Sequence, residues 1–188
     1  MKCILFAIKP RWCVLIMKRE KTVEVRTSKA LASAIQKLID KYGYADIYGY
    51  CSKTNYLGFI SNKYVGKVNF KFRCYKVEEI ACNCLYNGVD LDTYYMTEDL
   101  EYDSLEKQSC LTNNELRMYL GKGKNIQSDI VGYAIHISDL EIFKPKELSE
   151  FYPYCKDEKC EYRKNHCSIC YRPPLTKAPQ NFCYVEVE

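Results

Sequence analysis

The hydrophobic positions of this chain change period along its length, and the changes mark its elements. Cys3 to Ile8 is apolar at every position, the pattern of a strand buried on both faces. Pro10 suits the first turn of a helix, where a missing N–H costs nothing, and Trp12, Leu15 and Ile16 follow at helical spacing. Thr22 to Arg26 alternates, with Val23 and Val25 on one face and Thr22, Glu24 and Arg26 on the other. Ser28 can cap a second helix, whose apolar stripe is Leu31, Ala34, Ile35 and Leu38 and whose end is Gly43. Ala45 to Cys51 reads as a strand, and Asn62 to Gly66 as a turn region. Lys67 to Tyr75 alternates most cleanly: Val68, Phe70, Phe72 and Cys74 form one face, Lys67, Asn69, Lys71, Arg73 and Tyr75 the other.

The middle of the chain is less regular. Asn87-Gly88 signals a turn. Thr112 with Glu115 forms a capping box that opens a short helix ending at Gly121. Gly121 and Gly123 alternate with Lys122 and Lys124 as a flexible basic loop, without the spacing of a nucleotide-binding P-loop. Ile130 to Ile137 reads as a strand that Glu141 to Phe143 extends after a break. Pro145 suits the start of a short helix through Phe151, and Phe182 to Val187 reads as a last strand. Short strands with a few helices predict an α+β fold of β-barrel type in a single domain over residues 1–188.

Charge alters this picture in one place. The net charge is +4, but the seven acids from Asp90 to Glu106 stand without a Lys or Arg among them. The remaining chain sets 28 basic residues against 17 acids, a net +11. The acidic insertion, at about 87–110, reads as a solvated loop or a partly disordered segment, able to mimic nucleic acid or to dock a basic partner, and the basic body suits nucleic acid. No apolar run approaches the ~20 residues of a membrane span. Met1 to Pro10 lacks a small-residue cleavage site and reads as a strand rather than a signal peptide, which predicts a cytoplasmic protein. The 18 tyrosines suit core packing, and some of them base stacking.

Two groups of residues carry candidate chemistry. Glu24 and Arg26 share a strand face ~7 Å apart, and Lys21 can swing to the same side. Two cations beside one carboxylate can hold a phosphate or a base edge, and Glu24 can accept from an exocyclic amine or act as an acid or base. The ordinary alternative is an exposed ion pair of little energetic weight. Lys67, Lys71, Arg73 and Tyr75 can extend such a surface, although a solvated strand face explains them as well. The second group is Cys155, Cys160, Cys167 and Cys170, four of the 12 cysteines within sixteen residues, in a cysteine-rich segment at about 152–172. Two close thiol pairs in a loop-rich stretch predict one structural zinc, with His166 an alternative ligand and free thiols the alternative reading. The other cysteines read as reduced core residues, and His136 as a satisfied strand residue.

The N-terminal stretch resembles the ASCH family, a branch of the PUA-like barrels. The residues that carry the likeness are Ile8-Lys9-Pro10 after the first strand and Lys21-Thr22-Val23-Glu24-Val25-Arg26 after the first helix, close to a family pattern G-x-K-x-x-E-x-R. Arg19 stands where that pattern has glycine. Tyr48 to Lys53, Gly66 to Tyr75, Gly132 to Leu148 and Ala178 to Val185 are similar to ASCH proteins of Gram-positive bacteria and their phages. The resemblance implies a mixed PUA-like barrel with flanking helices, to which the cysteine-rich segment adds a knuckle-like C-terminal part. It implies an RNA or modified-nucleotide ligand in a cleft lined by Lys9, Lys21, Glu24, Arg26, Tyr50, Lys53 and Gln180. Some ASCH proteins are amidohydrolases acting on N4-acetylcytidine and others ribonucleases, which makes Lys21 and Glu24 the candidate catalytic pair. In the amidohydrolase type a Lys and a Thr do the chemistry. Lys21 matches that Lys, and Glu24 takes the place of the Thr and its hydroxyl.

Overall fold

The structure, a computed structural model, describes residues 2–53, 63–86, 91–121, 130–155 and 173–186. In chain order its elements are β1 (Cys3–Ile8), α1 (Pro10–Met17), β2 (Val23–Arg26), α2 (Lys29–Tyr42), β3 (Ala45–Cys51), β4 (Val68–Cys74), β5 (Val77–Tyr86) and β6 (Leu91–Met96). They continue with α3 (Tyr102–Ser109), α4 (Asn113–Leu120), β7 (Ile130–His136), β8 (Ser138–Lys146), a 3-10 turn (Leu148–Glu150), β9 (Tyr152–Pro153) and β10 (Phe182–Glu186). The predicted turn at Asn87-Gly88, the Lys122–Lys124 loop and Cys160, His166, Cys167 and Cys170 lie outside the described residues. Among the described residues no helix is long and apolar enough to cross a membrane.

The chain divides into two compact units. The first comprises Met1–Met17, Ala45–Arg73 and Asp139–Glu188. Its sheet runs in the order β8-β4-β3-β1-β10-β9. It is mixed, because β1 runs parallel to β3 and antiparallel to β10. The uninterrupted apolar run of β1 fits this place, since a strand with neighbours on both edges and cover on both faces has no polar side. Leu5, Tyr50, Val68, Phe151 and Val185 pack as one buried cluster. A Cβ at Gly49 would run into the Phe70 ring, so glycine is what lets β3 and that ring approach.

The second unit comprises Lys18–Tyr44 and Cys74–Ser138. Its antiparallel sheet has the order β2-β7-β5-β6. The Ser28 hydroxyl caps α2 at Leu31 N–H, and Gly43 ends it at φ 82° with its N–H on the Ile39 carbonyl. The predicted stripe of Leu31, Ala34, Ile35 and Leu38 is the buried face of that helix. Thr112 and Glu115 form the expected capping box of α4, which stops at Gly121.

Three expectations need correction. The acidic stretch is not a loop in its described part: it forms β6, paired antiparallel to β5, and then α3. Its acids hid the apolar residues Tyr95, Leu100 and Leu105, all buried, which hold it in the core. Next, β5 escaped pattern reading because a register shift between Ile80 and Ala81 breaks the two-residue period. Finally, Glu141 to Phe143 does not extend β7. Ile137 alone separates β7 from β8, which takes a positive φ of 44° at its second residue, Asp139, and belongs to the other sheet. Pro145 lies within β8 rather than opening a helix, and β8 is an edge strand, where a missing N–H is tolerated.

Candidate functional site

The residues expected to act together on β2 are brought together in the second unit. Lys21 precedes the strand, and its ammonium lies 3.4 Å from Glu24 Oε2. Arg26 Nε lies 3.0 Å from Glu24 Oε1. One carboxylate is thus held by a cation on each oxygen. The set is not an open surface pair: Lys21 is 2% exposed and Glu24 5%. Val23 and Val25 are buried on the opposite face, so β2 is covered on both sides.

Helix α3, the end of the acidic stretch, packs against β2 and explains that burial. The Lys21 ammonium donates to the carbonyl of Ser109, the last residue of α3, at 2.5 Å. Carbonyls at a helix C-terminus lack intrahelical partners and carry the negative end of the helix dipole, so an ammonium is their natural complement. The Thr22 N–H donates to the Gln108 carbonyl at 2.9 Å, and the Cys110 thiol to the Glu20 carbonyl at 3.3 Å. Three successive residues before β2 are therefore laced to the end of α3. Burial pulls the Lys21 pKa below the usual lysine range, while the Glu24 charge opposes that shift.

Arg26 is the member of the trio that reaches solvent, with 18% of its side chain exposed. Beside it stands Tyr119 of α4, which sequence patterning did not single out. Tyr119 is 42% exposed. Burial at its hydroxyl end raises its pKa, against the opposing charge of Arg26 and a hydrogen bond shared with Thr27. Its sequence signal was its place three residues after Leu116 and one before Leu120, at the margin of the buried stripe of α4. Gly132 of β7 helps to seat α4, since a Cβ there would come within 2.6 Å of Leu120 Cδ2 and 3.1 Å of the Arg26 carbonyl.

The second unit holds another buried carboxylate. Glu78 Oε1 accepts from the Thr97 hydroxyl at 2.7 Å and from the Asp99 N–H at 3.1 Å. Its other oxygen meets His136 Nε2, and Lys76 lies 3.5 Å from Oε1. Burial works to raise the Glu78 pKa, but the hydrogen bonds from Thr97 and His136, with the nearby positive charge, bring it below the ordinary value. His136 thus has the satisfied strand role expected of it. The network fixes the turn that leads into α3.

The remaining candidates lie in the first unit. Tyr50 is buried in its apolar cluster. Lys9 and Gln180 are exposed. Lys53 is exposed too, and its aliphatic stem lies over Gly66, where a Cβ would come within 2.5 Å of it. On the strand face flagged beside them, Lys67 pairs with Glu147, Lys71 with Glu141 at 3.1 Å, and Arg73 with Asp46 and Asp139 at 3.5 Å each. Those cations are occupied by neighbouring acids. Cys155 is buried, and its three partner cysteines lie outside the described residues. Among the described residues no group of three or more His, Cys, Asp or Glu side chains is placed to hold a metal.

The chain is similar in structure to ASCH from Zymomonas mobilis, a crystal structure, with a TM-score of 0.50 over 97% of this chain and 87% of that one. Sequence identity between the two is 16%, so the likeness establishes the fold. That fold is an ASCH-type α+β fold, as the N-terminal resemblance implied. No protein-family model matches the sequence, and no curated protein matches it.

Proposed function

We propose that this chain binds RNA or a modified nucleotide at the polar site on β2, with Arg26 and Tyr119 as the contacting side chains. Lys21 and Glu24 form the buried frame behind them. The observation that carries this reading is the ion pairing of Glu24 with two cations, which holds the partly exposed Arg26 side chain near an exposed tyrosine. A guanidinium offers a planar fork to a phosphate or a base edge, and a phenol ring offers a face on which a base can stack. The basic balance of the chain outside the acidic stretch favours the same class of ligand. ASCH folds as a class are consistent with it.

Fluorescence anisotropy with a short single-stranded RNA, and with free nucleosides, over a salt series tests the proposal. The expected result is binding at low salt that weakens steeply as salt rises. Absence of binding to every ligand at low salt would overturn it. Breakdown of RNA or of N4-acetylcytidine in the same samples, abolished by Lys21→Ala, would instead select a hydrolase. Burial of Lys21 supports that second reading, because it favours the neutral amine a lysine base requires.

We also propose, from the thiol spacing, that Cys155, Cys160, Cys167 and Cys170 hold a structural zinc. Buried Cys155 has the donor chemistry such a site needs, and a closed four-thiolate site would order the segment rather than catalyse. Metal analysis of the purified protein should find about one zinc per chain. Less than half an equivalent would remove the site.

A further inference from the structure

Cysteine chemistry in this chain is not confined to its C-terminal cluster. In the first unit, Cys13 lies in α1 and Cys51 is the last residue of β3. Both are wholly buried, and both are reduced. The strand register sets Cys51 directly beside Ile8, the last residue of β1. The Cys13 thiol donates to the Ile8 carbonyl at 3.6 Å, and the N–H of Ser52, next to Cys51, donates to that carbonyl at 2.9 Å. One carbonyl therefore gathers both thiol-bearing segments.

We propose that Cys13 and Cys51 are a dithiol pair that closes to a disulfide when the protein meets a peroxide. The Cys51 thiolate attacks one peroxide oxygen, becomes a sulfenic acid and releases hydroxide. The Cys13 sulfur then displaces the sulfenic oxygen as water, forming the S–S bond. Overall, two thiols are oxidised, and hydrogen peroxide is reduced to two waters. Residues 13 and 51 are distant in sequence, so the bond would tie α1 to the end of β3.

The other core thiols behave differently. Burial pushes Cys3 and Cys183 up to about 11 and Cys74 up to about 12. Cys51 moves the other way, because the neighbouring Cys13 thiol can turn its S–H to the Cys51 thiolate and stabilise it against the opposing effect of burial. It is thus better prepared to attack than its buried neighbours. Access to the pair requires α1, a helix of 8 residues, to lift locally.

The test uses the full chain. The reduced protein is treated with hydrogen peroxide, blocked with iodoacetamide under denaturing conditions and digested with trypsin without reduction. Cleavage after Arg11, Lys18, Lys41 and Lys53 isolates each thiol in a peptide of its own, Trp12–Lys18 and Tyr42–Lys53. The expected result is a linked pair of these peptides that rises with peroxide, disappears on reduction and is absent from Cys13→Ala and from Cys51→Ala. Thermal melts of both variants show whether they are folded. In the wild-type chain, full alkylation of both cysteines after peroxide treatment would overturn the proposal, as would equal linkage of either one to other cysteines.

Discussion

The two units of this chain treat charge differently. In the first, the core cluster is apolar and most ion pairs sit at its rim. Lys71 meets Glu141, for example, with 61% of the Glu141 side chain exposed. Asp46 is its buried acid, reached by the half-exposed Arg73. In the second unit, among the described residues, three charged residues lie inside, namely Lys21, Glu24 and Glu78. Each has partners for its charge: Lys21 has a carboxylate and a carbonyl, Glu24 has two cations, and Glu78 has a hydroxyl, an N–H, an imidazole and a lysine. Burying charge is costly unless each group is matched in this way. The contrast sets a unit with an apolar core cluster and mostly outer ion pairs against one that holds matched charges in its interior.

The largest expected effect follows from removing one partner of the buried set. Glu24→Ala leaves Lys21 in the interior without its carboxylate and should cost about 3–5 kcal/mol in chemical denaturation. The matched change in the first unit, Lys71→Ala, should cost less than about 1 kcal/mol, because its pair is exposed and screened. Equal losses from the two variants would break the contrast between the units.

A smaller effect concerns pH. The folded pKa of Glu78 lies below its unfolded value of 4.5, so its contribution is complete above that value and is lost as pH falls through the folded one. Glu78→Gln removes the titration and should cost about 1.5–3 kcal/mol at neutral pH, the range for hydrogen bonds to a charged group. Stability measured downward from pH 5 should then fall less steeply in the variant than in the wild type. Parallel curves would show that this network does not set the acid limit of the fold.

Much of the architecture was legible in the order of residues. The apolar run of β1, the capped stripe of α2, the alternation of β4 and the capping box of α4 are local signals, and each forms what it encodes. The missed elements have non-local causes. Strand β6 and helix α3 were hidden by the acids interspersed among buried Tyr95, Leu100 and Leu105, and β5 by a bulge. The spacing of Lys21, Glu24 and Arg26 located the polar site, because a strand places alternate residues on one face. Its depth was not legible, because α3, some 80 residues further along the chain, covers it. Tyr119 was invisible for the same reason: only the tertiary fold sets α4 beside Arg26.

The direct test of the central claim is the affinity of a short single-stranded RNA for the wild-type chain, for Tyr119→Ala and for Lys71→Ala at the same low salt. Loss of a stacking side chain is worth about 1–3 kcal/mol, or roughly 5- to 150-fold in affinity. Tyr119→Ala should weaken binding by that factor with an unchanged melting temperature, and Lys71→Ala should leave it within about twofold. Equal affinity of all three proteins would contradict the placement of the recognition surface at Arg26 and Tyr119.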